Sequence, residues 1–188
     1  MINNIEYIKP LLIFDSTDDF YLLEIIQRKK ENPGLSKNAR IIKTYNIKSI
    51  DHLEKVIGEI ILLCNCFNAR AGIRLNKRSF RKTALDNLRK LTEIIISENY
   101  DSAYNQYYKA AGNSFSNQDK KWIIDIDQED IDNLDEIKKS IESIRKGSIL
   151  AEIPSKTGLH LITLPFNREL FNFNVEIHKD NPTNLIIP

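Results

Sequence analysis

The chain has 188 residues, 41% hydrophobic and 28% charged, which supplies enough apolar side chain for one domain of ordinary size and excludes a disordered or fibrous polymer. Twenty-seven lysines and arginines against 26 acids leave a net charge of +1, so no global basic field marks a nucleic-acid binder and any such surface has to be local. No apolar run reaches about 18 residues and no basic leader segment is visible, so a soluble cytoplasmic protein without membrane contact is expected.

Residues 18–31, "DDFYLLEIIQRKKE", are predicted as a helix on the spacing of Phe20, Leu23 and Ile26, broken by Pro33-Gly34. "ARIIKTYNI", 39–47, is β-branched and reads as a strand. Ser49 is a predicted N-cap for a helix running to Phe67, with Leu53, Val56, Ile57, Ile60, Ile61 and Cys64 as its apolar stripe. Cys64 and Cys66 lie two apart on that helix, point to different faces, and are expected as free thiols; with three separated histidines they form no zinc set. "ARAGIRL", 69–75, reads as a second strand. Phe80, Ala84, Leu88, Leu91 and Ile95 then recur at helical spacing, and 101–118 reads as a short helix and a loop.

The second half changes character. "KWIIDID" reads as a strand. A helix follows, with Ile131, Leu134, Ile137, Ile141 and Ile144 inward and Gly147 closing it. "SILAEIP" and "GLHLITLPF" are predicted strands joined by "PSKTG". "FNVEIHK" and "TNLIIP" are predicted as a further pair joined by "DNP". The expected fold is α+β (α/β): an N-terminal αβ lobe over 1–115, packed on an RNA-recognition-like (ferredoxin-like) βαββ lobe over 116–188. The sheet is expected to be mixed but largely antiparallel, and the lobes to share one core.

Four stretches carry chemistry. In a strand, Asp125 and Asp127 project from one face about 7 Å apart. Two such carboxylates stay ionised together only where a cation or solvent intervenes. They suit a divalent metal, or they are a solvated strand end with Asp127 capping the next turn. The turn Ser155, Lys156, Thr157 and Gly158 offers backbone N–H groups, two hydroxyls and an ammonium to a phosphate, with His160 following on the emerging strand; an ordinary hairpin turn has the same composition. Glu176 and His178 share a strand face, as metal or polar-face residues. Arg70, Arg74, Lys77, Arg78, Arg81 and Lys82 make the densest basic cluster, a candidate nucleic-acid or triphosphate surface or a solvated helix start.

Taken in order, "DID", "SKTGLH" and "VEIHKDNPTNLIIP" resemble the archaeo-eukaryotic primase (primase-polymerase) superfamily, most closely the polymerase domain of bacterial end-joining DNA ligases. The likeness spans roughly residues 68–188. It implies a metal-dependent nucleotidyltransferase acting in DNA replication or repair, of a kind found in phage and mobile elements. Asp125, Asp127 and Glu176 would hold Mg2+ or Mn2+. Ser155, Lys156, Thr157 and His160 would bind a nucleoside triphosphate, and Arg70, Arg74, Lys77 and Arg78 a DNA or RNA template, with replication proteins as partners. The alternatives are a catalytically silent nucleic-acid-binding accessory protein on the same scaffold and a metal-dependent nuclease.

Overall fold

The computed structural model describes residues 1–116 and 119–188. The described residues form ten strands and five α-helices, with the strands in two antiparallel sheets, an α+β architecture rather than one with a mixed sheet. The first sheet contains β1 (Ile2–Asn3), β2 (Asp19–Arg28), β3 (Ala39–Ile47), β4 (Arg70–Arg74), β5 (Arg78–Ser79) and β10 (Pro182–Ile187). Its order is β1-β10-β4-β2-β3, with β5 paired to the start of β2.

The predicted helix over 18–31 is instead strand β2, which lies between β4 and β3. It is buried on both faces, so its apolar residues form a continuous run rather than alternating with polar ones. Tyr21, Leu23 and Ile25 join the main core. Phe20 and Leu22 face the other way, onto Ala111 with Phe80 and Tyr108. Glu24 falls on this second face and is buried there. It accepts a hydrogen bond from the Tyr108 hydroxyl and one from Arg74 Nε at 2.7 Å, which satisfies a charge that would otherwise be costly to bury.

Between strands run α1 (Ile5–Ile8), α2 (Ile50–Phe67), α3 (Phe80–Ile96) and α4 (Gln106–Asn113). Ser49 caps α2, its hydroxyl accepting from His52 N–H at 3.0 Å. Leu53, Ile60 and Cys64 carry α2 into the core. Burial pushes the Cys64 thiol up to about 11, while Cys66 is exposed and neither is bridged. The stripe expected to bury α3 does not: Leu88 and Ile95 are exposed, and α4 and the residues before it are the helix's main neighbours.

The second sheet comprises β6 (Trp122–Ile126), β7 (Ile149–Pro154), β8 (Leu159–Thr163) and β9 (Glu176–His178), in the order β7-β8-β6-β9. A 3-10 turn, Gln128–Asn133, leads from β6 into α5 (Leu134–Ile144). Trp122, Ile124, Ile126 and Leu161 face Ile137 and Ile141 of α5. Helix α5 ends before Gly147, whose φ of +70° lies in the left-handed region. The Glu142 carboxylate, held below its usual range by three backbone N–H donors, accepts from Gly147, Ser148 and Ile149.

The other face of this sheet presents Ile123, Ile153 and Ile162 to the first sheet, where they enter the same core as Leu23, Ile73 and Leu185. The predicted pairing of "FNVEIHK" with "TNLIIP" is replaced by a parting of ways. Strand β9 pairs with β6, whereas β10 crosses back to lie between β1 and β4. The first lobe is therefore discontinuous in sequence, and its sheet takes residues 182–187 as well as strands from 1–115. No helix among the described residues is long and apolar enough to cross a membrane.

Candidate metal centre and cleft

Strand register builds the site. Asp125 on β6 stands opposite His160 on β8 and opposite Glu176 on β9. Residues paired across antiparallel strands project on the same face, so one row of the sheet reads His160, Asp125, Glu176. His178 stands in the adjacent row, opposite Ile123. Ile123 belongs to the core between the sheets. The acidic row thus begins where that core stops and the two sheets part around a cleft of about 700 Å³.

The cleft gathers most of the predicted site residues. Asp125, Asp127 and Glu176, the turn residues Ser155, Lys156 and Thr157, and His160 all line it. The turn is fixed by Ser155 N–H donating to Gly158 C=O at 2.9 Å. Gly158 lies so close to β6 that an added Cβ would come within 1.9 Å of the Ile126 carbonyl oxygen. Any larger residue must push the turn away from Asp127, which is why a glycine sits there.

One ligand atom each from Asp125, Glu176 and His178 lies within 4.8 Å of the others. Metal–oxygen bonds of about 2.0–2.2 Å let two donors on one ion stand roughly 4 Å apart, so small side-chain adjustments bring the three to a common centre. Two carboxylates and an imidazole are a donor set that suits a divalent cation. Asp127 lines the cleft but lies outside this trio. Strand β6 ends at Ile126, and Asp127 takes the N-cap position of the next turn, its carbonyl accepting from Asp130 N–H at 3.0 Å. The third donor is His178 instead, with Nε2 at 3.2 Å from Glu176 Oε2. Its two-residue spacing from Glu176 was visible in the sequence, but a polar strand face has the same pattern.

His160 is held from both sides. Its Nδ1 is 2.8 Å from the Thr183 hydroxyl on β10, and its Nε2 is 3.5 Å from Asp125 Oδ1. Burial lowers its proton affinity, and the charge of Asp125 only partly offsets this. The ring is therefore neutral at pH 7.

The predicted nucleic-acid surface does not survive as one patch. Arg70 reaches the cleft, half-buried and paired with Glu31. Arg74 is turned toward Glu24 and Asp180. Lys77 pairs with Asp15, with Asp19 at 3.5 Å. Arg78 is fully buried, donating to the carbonyls of Asn76, Ala111 and Gly112 and to Asp180 at 2.6 Å. Arg74 and Arg78 thus anchor the β9–β10 connection rather than face solvent. The exposed cations at the cleft are Lys156 on the turn and Arg28 and Lys30 at the end of β2. Sequence reasoning missed the latter two by reading β2 as a helix. The cleft is thus bipolar, with carboxylates on the β6–β9 wall and cations on the turn and the facing strand end.

No protein-family model, curated protein or solved structure matches the chain.

Proposed function

We propose that the cleft is the active site of a metal-dependent nucleotidyltransferase of primase-polymerase type, acting on nucleoside triphosphates and a DNA or RNA template. The carrying observation is the convergence, across separate strands and in one cleft, of the Asp125–Glu176–His178 donor set with the Ser155–Lys156–Thr157 turn. The second lobe adds support. It runs β6-α5-β7-β8-β9, with a 3-10 turn at Arg168–Leu170 where a ferredoxin-like unit has its second helix.

In this reading Asp125 and Glu176 hold Mg2+ or Mn2+, with Asp127 beside them on the same wall. The bound cation supplies charge neutralisation at the reacting phosphate. Lys156 and the Ser155 and Thr157 hydroxyls take the triphosphate, and the backbone of the turn adds donors. Arg28 and Lys30 face the template backbone, where their contribution is electrostatic and independent of base sequence. Replication proteins are natural partners of such an activity.

The test is primer extension on a templated duplex with Mn2+ or Mg2+, wild type against Asp125→Asn. Labelled product is expected from wild type and none from the variant. Absence of product, together with absence of cation-dependent nucleotide binding by calorimetry, would sink the proposal. The imidazole in the donor set also suits phosphodiester hydrolysis, so the same reactions run without nucleotides test a nuclease. Shortened strands rather than extended ones would decide for it.

A further inference from the structure

We propose that His178 is a metal ligand and that it makes the site selective for a first-row transition cation, Mn2+ as the working probe, over Mg2+. The inference rests on the metal-dependent reading above and deepens it by naming the cation class and the residue that selects it.

His178 lies one strand row from the Asp125–Glu176 pair, on β9 beside β6, and its side chain is 28% exposed. Its Nε2 reaches the Glu176 carboxylate at 3.2 Å, and the trio's ligand atoms fall within 4.8 Å of one another. Among the described residues no hydrogen bond or ion pair other than that to Glu176 engages the His178 ring, in contrast to His160, whose two ring nitrogens are both engaged. Asp127, by contrast, stands outside the trio.

Donor chemistry then decides the cation. Mg2+ is bound through one or two carboxylates, phosphate oxygens and retained water, in a strict octahedron. It gains little from an imidazole nitrogen. A transition cation bonds imidazole well, and two carboxylates keep the set within reach of Mn2+. One imidazole in three protein ligands therefore favours Mn2+ without excluding Mg2+ from the carboxylates. A carboxylate at this position in place of His178 would leave no such bias.

The experiment is direct metal binding by the full chain. Calorimetric titration of wild type with Mn2+ and separately with Mg2+ is expected to give tighter Mn2+ binding. Loss of an outer-shell partner of a ligand costs about 10- to 100-fold in affinity, and loss of the ligand itself by His178→Ala is expected to cost Mn2+ at least as much while leaving Mg2+ nearly unchanged. Glu176→Gln should weaken both cations. Electron spin-echo spectroscopy of wild-type protein with Mn2+ needs no variant and is expected to show modulation from a directly bonded imidazole nitrogen. Mn2+ binding without nitrogen modulation, or equal loss of both cations in His178→Ala, overturns the inference and leaves the metal-dependent reading standing. Binding of neither cation, with Asp125→Asn indistinguishable from wild type, overturns both.

Discussion

His160 sits where three structural facts meet: it faces Asp125, it accepts or donates to Thr183 of the other sheet, and it is largely buried. Its folded pKa lies below the ordinary 6.5, with burial the main cause. As pH falls past 6.5 the unfolded chain takes up a proton that the folded chain still refuses. The unfolded state then binds more protons, so folding stability drops on the acid side of 6.5, by at most about 1.4 kcal/mol per pH unit for this one group. Well above 6.5 both states are neutral and the effect vanishes. Urea denaturation at a series of pH values should therefore show a shallower acid-side decline in His160→Gln than in wild type. Equal slopes would mean the ring titrates as if solvated. The row His160–Asp125–Glu176 was partly legible beforehand, because a two-residue period fixes which side chains share a face. What spacing could not give is which strands become neighbours, and hence that His178, rather than Asp127, completes the trio.

At the scale of elements, β2 and the β9–β10 connection show where local pattern fails. Phe20, Leu23 and Ile26 satisfy helical spacing, but a strand covered on both faces also reads as a continuous apolar run; only the neighbours β3 and β4 decide. "DNP" looks like a hairpin turn, yet Asp180 is pulled into a buried network with Arg74, Arg78 and Asn76, and the chain switches sheets there. Elements with strong local signals, such as α2 with its Ser49 cap, fell where expected. The network makes a prediction of its own. Removing one member of a buried ion pair leaves the other charge stranded, at about 3–5 kcal/mol. Arg78 would keep three carbonyl acceptors, so Asp180→Ala is expected near the lower end, about 3 kcal/mol less stable by chemical denaturation. A loss under about 1 kcal/mol would put this contact in the class of surface ion pairs.

For the whole molecule, the decisive fact is that one apolar cluster contains residues of both sheets, among them Leu23 and Ile73 from the first and Ile123 and Ile162 from the second. Two lobes that share a core gain nothing by unfolding separately, and the two-state condition is that different probes report one transition. The single tryptophan, Trp122, lies in the second sheet, so its fluorescence follows that lobe alone while far-ultraviolet circular dichroism follows both. Their urea transitions are expected to coincide. A tryptophan transition at lower urea would show that the second lobe melts first and that the shared cluster does not couple them. The same cluster positions the cleft, since the acidic row begins directly beyond Ile123.

The position of β10 also bears on how the chain is made. Thr183 pairs with Ile73, and Ile187 with Ile2, so the interior of the first sheet waits for residues that a ribosome adds long after their partners have emerged. Until residues 182–187 arrive, β4 presents an open edge carrying Ala71 and Ile73, which end up fully buried. Unpaired edges and late, long-range strand pairings are the features that slow folding and invite aggregation or capture by chaperones.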